Sequence, residues 1–131
     1  MFLHIDPSNG LAIYDQIVRQ VKFAVAGDAL QPGEMVPSVR ELARDLAVNP
    51  NTVSRAYREL QADNVLEAVR GTGLEVTSKA PERCRKDRVA LLRERLRSVM
   101  LEAAQSRLEF SEIRALADEE LSRLEHKRTS R

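Results

Sequence analysis

The chain has 131 residues, 43% of them apolar and 31% charged, with a formal net charge of +1. That size allows one domain with an appendage, or two small domains, and it supplies enough apolar residues to bury a core. No apolar run is long enough to cross a bilayer, the start lacks the basic-then-apolar order of a secretory signal, and Cys84 is the single cysteine, which excludes a disulfide framework. A cytoplasmic protein with no membrane association is expected. Charge is unevenly spread. Residues 79–97 carry eight bases against three acids, whereas residues 1–78 carry seven bases against ten acids. Any contact of the first part with a polyanion must come from locally placed arginines, not from a general positive field.

Phe2, Leu3 and Ile5, ahead of the turn-forming run Asp6-Pro7-Ser8-Asn9-Gly10, predict a short strand and then a loop. From there Ile13, Ile17, Val18, Val21 and Val25 recur with the spacing of an amphipathic helix, and Gln31-Pro32-Gly33 lies beyond its end. A second helix is predicted from Ser38. Ser38-Val39-Arg40-Glu41 forms a capping box, in which the serine oxygen accepts a backbone N–H and Glu41 reaches back. Its inner face is Val39, Leu42, Ala43 and Leu46, and Pro37 sits where it interrupts no hydrogen bond.

Ala47 and Val48 make a tight connection to a third helix. Asn49 suits its N-cap, and Pro50 at the first helical position removes an N–H that would lack a partner anyway. Val53, Ala56, Tyr57 and Leu60 form the inner face, and Asn64 suits a left-handed residue at the end. Two β-prone runs, 65–69 and 74–77, flank Arg70-Gly71-Thr72-Gly73, whose glycines fit a hairpin turn with positive φ.

Residues 78–81 read as a linker, and the remainder as helix. Val89, Leu92, Leu96, Val99 and Ala103 alternate spacings of three and four, a seam that seeks an apolar partner. After a connector through Leu108 and Phe110, Ser111 is expected to cap a last helix with Ile113, Leu116, Ala117, Leu121 and Leu124 on one side. The last five residues are expected to fray. Such stripes must close on each other, on the preceding domain or on a second chain.

The expected fold is mainly α with a small β-hairpin: a winged helix-turn-helix head over residues 1–78 and a two-helix segment over residues 79–131. In that arrangement the second helix of the pair enters the major groove of double-stranded DNA and its first turn meets base edges. Asn51, Arg55 and Arg58 fall opposite the apolar face, Thr52 and Ser54 flank them, and Glu59 is the only nearby acid. Asparagine pairs with adenine and arginine with guanine, while hydroxyls suit a phosphate or either base. Free N–H groups of the first turn would add a phosphate site. Arg40 and Arg44 are placed to clamp phosphates, and Arg70, Gly71 and Thr72 to bring the wing to a minor groove. The plainer alternative is a solvated helix face beside an ordinary hairpin turn.

Other signals point nowhere specific. His4, His126 and Cys84 are too scattered for a zinc site, and Asp118, Glu119 and Glu120 read as a solvated acidic face. Cys84 lies between Arg83 and Arg85, a setting that favours thiolate and would suit redox sensing, the plainer reading being an ordinary linker thiol. With no nucleophile–base pair, phosphate loop or paired carboxylates, neither an enzyme nor a bound cofactor or metal is expected. The alternative of an interaction adaptor that kept the fold without reading DNA rests on the near-neutral charge and on Glu75.

The runs Leu30-Gln31-Pro32-Gly33-Glu34, Pro37-Ser38-Val39-Arg40-Glu41-Leu42-Ala43, Val48-Asn49-Pro50-Asn51-Thr52-Val53 and Ala56-Tyr57-Arg58-Glu59-Leu60 resemble the head of GntR-family transcriptional regulators. Ile5-Asp6-Pro7 and Pro50-Asn51-Thr52-Val53 are similar to the YtrA-type branch in particular. The resemblance covers about residues 2–77. It implies a homodimer that binds an inverted-repeat operator, usually as a repressor, with DNA contacts from Arg40, Asn51, Thr52 and Gly71. Some relatives carry arginine where Pro50 stands, so that contact does not transfer. The wing also departs from the family, with Leu74-Glu75-Val76 where a hydroxyl residue, an aromatic and valine are common. Glu75 would either weaken docking near phosphates or face solvent. The short tail resembles that branch's dimerisation helices, which implies an interface through Val89, Leu92, Leu96, Val99, Ala103, Leu116 and Leu121. Transporter genes are the targets the branch implies, and no small-molecule effector can be named from the sequence.

Overall fold

A computed structural model describes residues 3–129. Its elements are α1 (Ile13–Ala26), α2 (Val39–Leu46), α3 (Pro50–Ala62), β1 (Leu66–Val69), β2 (Gly73–Val76), α4 (Ala80–Gln105) and α5 (Phe110–Thr129). The chain forms two compact units, Met1–Ala90 and Leu91–Arg131.

In the first unit α3 packs against both α1 and α2. Ile17, Val21 and Val25 from α1, Leu42 and Ala43 from α2, and Val53, Ala56, Tyr57 and Leu60 from α3 are buried together. Val39 and Leu46 pack at the margin of this core rather than within it. The cap of α2 forms as its sequence dictates. Ser38 Oγ accepts the Glu41 N–H at 3.1 Å and the Glu41 carboxylate accepts the Ser38 N–H. Ala47 then turns the chain with a left-handed φ of 55°, a conformation that alanine adopts against its own sterics. Asn64, at φ 59°, makes the corresponding turn after α3.

β1 and β2 pair antiparallel with Leu66 opposite Val76 and Val69 opposite Gly73. Gly71 and Gly73 carry positive φ at the tip, as the hairpin requires. The outer edge of β2 is not left open. Gly33 N–H donates to Val76 O, Val36 N–H to Leu74 O and Val76 N–H to Glu34 O, so the loop before α2 acts as a third strand.

Two expectations need correction here. Residues 3–6 form no strand, and Phe2 lies outside the described residues. Their backbone groups find glutamine side chains in place of a partner strand. Gln20 accepts the His4 N–H and donates to His4 O, while the buried Gln16 carboxamide bonds the N–H and the carbonyl of Asp6 together with Leu11 O. The expected linker over residues 78–81 shortens to Ser78 and Lys79, because Ala80 and Cys84 are fully buried and bring the first turns of α4 into the core of the first unit.

In the second unit the last helix begins at Phe110, so Ser111, the expected cap, lies inside it and Glu109 holds the cap position. The Glu109 carbonyl accepts the Ile113 N–H, and its N–H donates to Glu112. Of the five residues expected to fray, Lys127, Arg128 and Thr129 are helical, and Ser130 and Arg131 lie outside the described residues. None of the described α5 side chains is buried.

Candidate nucleic-acid interface

α3 presents its polar face because its other face is committed to the core. Asn49 caps it, with its side-chain oxygen accepting the Asn51 N–H at 2.8 Å. Asn49 O accepts the N–H groups of Thr52 and Val53, and Pro50 has none. The first turn therefore keeps no free N–H for a phosphate, contrary to the expectation from sequence. The helix dipole remains, but any recognition by α3 would have to come from side chains.

The structure does not bring all the expected contact residues together. Asn51, Ser54 and Arg58 line one groove with Val39 of α2, Leu74 of β2, Tyr57 and Gln61. Among the described residues no carboxylate lines it. Gln61 was not anticipated, although its spacing of three from Arg58 places it on the same face. The Tyr57 hydroxyl donates to Pro37 O at 2.7 Å and so ties α3 to the loop before α2. Burial, and then the charge of Glu41, push its pKa well above the ordinary tyrosine range.

Arg55 belongs to a different edge of the helix. Its guanidinium carbon lies 3.7 Å from the centre of the Tyr14 ring, over the face of that ring on α1. Thr52 is half-buried. Arg40 and Arg44 are exposed one turn apart on α2.

The wing stands apart again. Thr72 and Gly73 line an adjoining groove with Met35, Ser38 and Glu41. Thr72 turns its hydroxyl toward its own loop, 3.3 Å from Val69 O, while Arg70 and Gly71 are exposed. Strand alternation settles where Glu75 points. Leu74 lines the α3 groove and Val76 is buried in the core, so Glu75, on the opposite face, lies directly across from Glu67. It is not a wall of the α3 groove.

Ion pairing separates two classes of base. Arg83 bonds Asp63 and Asp87, Arg85 bonds Asp28, and Lys86 lies 3.9 Å from Glu82. Much of the basic run that opens α4 is thus neutralised internally. Arg40, Arg44, Arg55, Arg58 and Arg70 are all exposed and, among the described residues, pair with no carboxylate.

A second charge cluster, centred on one buried cation, is not announced by sequence patterns. Lys22 of α1 is 6% exposed, and its ammonium sits 2.8 Å from both Asp63, which ends α3, and Asp87 of α4. Burial works against the ammonium, but its hydrogen bonds to Asp63 and Asp87 outweigh that cost and raise the Lys22 pKa. Burial likewise opposes the Asp87 carboxylate, and the bonds from Lys22 and Arg83 hold its pKa below the ordinary value.

Cys84 stands within α4 and not in a linker, and its setting does not favour thiolate. It is fully buried, and that burial pushes its pKa up to about 11 despite the nearby Lys22 and Arg83. The thiol is not activated. Among the described residues no group of His, Cys, Asp and Glu could hold a metal ion, and no helix is long and apolar enough to cross a membrane.

Residues 13–76, from the start of α1 to the end of the wing, match the family model of bacterial regulatory proteins of the gntR family. The HTH-type transcriptional repressor YtrA of Bacillus subtilis is 33% identical over 111 residues, which cover 85% of this chain and 85% of that one. This chain belongs to the GntR family. Solved GntR structures extend the likeness beyond the head. A GntR family transcriptional regulator from Listeria monocytogenes gives a TM-score of 0.65 at 32% identity, covering 88% of this chain and 98% of its own. YtrA from Sulfolobus acidocaldarius, a GntR-family transcription factor, gives 0.55 at 28% identity over 94% and 99%. The GntR assignment makes the protein a DNA-binding transcriptional regulator with a winged-helix head, in a family of regulators and not of enzymes.

Proposed function

We propose that the protein is a cytoplasmic, homodimeric repressor that binds an inverted-repeat operator, with the two tail helices holding the dimer. The observation that carries the DNA reading is the groove along α3, where Asn51, Ser54 and Arg58 stand together without an acid. Asn51 and Arg58 are the base readers, suited to adenine and guanine respectively. Ser54 and Thr52 supply hydroxyls beside them, and Arg40 and Arg44 hold phosphates from α2. Arg70, Gly71 and Thr72 bring the wing to the neighbouring minor groove, where Glu75 on the far face does not oppose it. Repression is the reading favoured by the likeness to the Bacillus subtilis repressor. Transporter genes are the proposed targets, by family likeness.

Support for the dimer comes from apolar residues left exposed. Leu92, Leu96 and Val99 of α4 are 48%, 56% and 58% exposed, and Leu116 and Leu121 of α5 are 50% and 56% exposed. A second copy would cover them, together with Val89 and Ala103.

Sequencing the genomic fragments that the purified protein retains identifies the operator. Against that duplex, Arg58→Ala and Asn51→Ala should each cost about 1–3 kcal/mol and relax preference at one base position. Unchanged affinity and preference in both variants would remove the groove from the reading surface. Fragments without a shared sequence, bound with little salt dependence, would instead favour an adaptor that does not read DNA.

A further inference from the structure

We infer that Tyr14 of α1 is a positioning residue for DNA binding: its ring holds the Arg55 guanidinium at the α1 edge of α3, where it binds a backbone phosphate and not a base. This rests on the proposal that the polar face of α3 meets DNA.

Three observations lead here. Arg55 is exposed, yet its cation lies 3.7 Å from the centre of the Tyr14 ring, so an aromatic face and not water covers one side of it. It has no carboxylate partner among the described residues, so its charge is not spent within the fold. It is also absent from the groove that Asn51, Ser54 and Arg58 share with Val39 and Leu74. A guanidinium stacked on a ring keeps its N–H donors for an acceptor in its own plane, and a phosphate oxygen suits that fork. An arginine free to swing would lose rotamer entropy on binding; one already held by a half-buried tyrosine loses less.

Phosphate and base contacts give different signatures, which makes the assignment testable. The probes are the duplex selected from genomic DNA and a random-sequence duplex of equal length, titrated across a range of salt concentrations. Arg55→Ala should weaken both by roughly tenfold and lower the salt slope by about 0.9, leaving base preference intact. Tyr14→Leu should weaken both by roughly two- to fivefold, and Tyr14→Phe, which keeps the ring, should restore most of that loss. In the double variant, Tyr14→Leu should add nothing to Arg55→Ala. Because Tyr14 is half-buried, a second readout stands apart from affinity. The Arg55 side-chain protons should show upfield ring-current shifts by NMR in the free protein and in Tyr14→Phe.

A change of base preference in Arg55→Ala would place Arg55 on a base and overturn the inference. So would affinity unaffected by Tyr14→Leu, or additive losses in the double variant. Those results leave the proposed DNA reading of Asn51 and Arg58 standing. Failure of the unsubstituted protein to bind either duplex would overturn both.

Discussion

Lys22 is the residue on which the first unit's charge balance turns. Its ammonium joins α1 to the end of α3 and to α4 through Asp63 and Asp87, with Arg83 bonding the same two carboxylates. Removing the one buried cation leaves two part-buried carboxylates facing each other with only the exposed Arg83 between them. Lys22→Ala should therefore destabilise the protein by roughly 2–3 kcal/mol in chemical denaturation, less than a fully buried pair would because Arg83 stays behind. The pH dependence follows from the two shifted groups. Asp87 is depressed, so its contribution is present above its ordinary 3.8 and is lost as pH falls through the lower folded value. Lys22 is raised, so its contribution is complete below 10.5 and is lost as pH climbs through the higher folded value. Thermal melts should show a plateau between those limits, and Asp87→Asn should flatten the acid side. An acid limb unchanged in Asp87→Asn would contradict the assignment.

At the scale of elements, local chemistry decided the caps and distant chemistry decided much else. Ser38→Ala should cost about 1 kcal/mol, because it removes the acceptor for the Glu41 N–H while touching no core residue. Ala47→Gly should gain about 0.5–1 kcal/mol by relieving the left-handed alanine, read as a rise in Tm. The capping box, the Asn49–Pro50 helix start and the glycine hairpin were legible because each is encoded within four or five neighbouring residues. The missing N-terminal strand was not. Its alternation of apolar residues is real, but Gln16 and Gln20 supply the hydrogen bonds that a partner strand would have given. The candidate site divides the same way. Helical spacing placed Asn51, Ser54 and Arg58 on one face, and it could have placed Gln61. Nothing near Arg55 in sequence pointed to Tyr14, and nothing near Cys84 pointed to its burial, since both depend on how α1, α3 and α4 pack.

For the whole molecule, the outcome depends on what covers the tail. Burying a leucine from water is worth about 1.5–3 kcal/mol, and several stand uncovered on α4 and α5. Leu96→Asp should convert a dimer to monomers in sedimentation and abolish tight binding to a two-half-site operator, while the head keeps its fold. A wild-type sedimentation profile for that variant would move the interface elsewhere. The buried cysteine offers a different use of the same architecture. Cys84 is the chain's only thiol and sits fully enclosed where α4 begins. A thiol reagent can reach it only when that first stretch of α4 lifts from the core. Its modification rate is then a built-in clock for one local opening event, read without any introduced label. Comparing that clock with and without DNA would show whether DNA binding slows the detachment of α4.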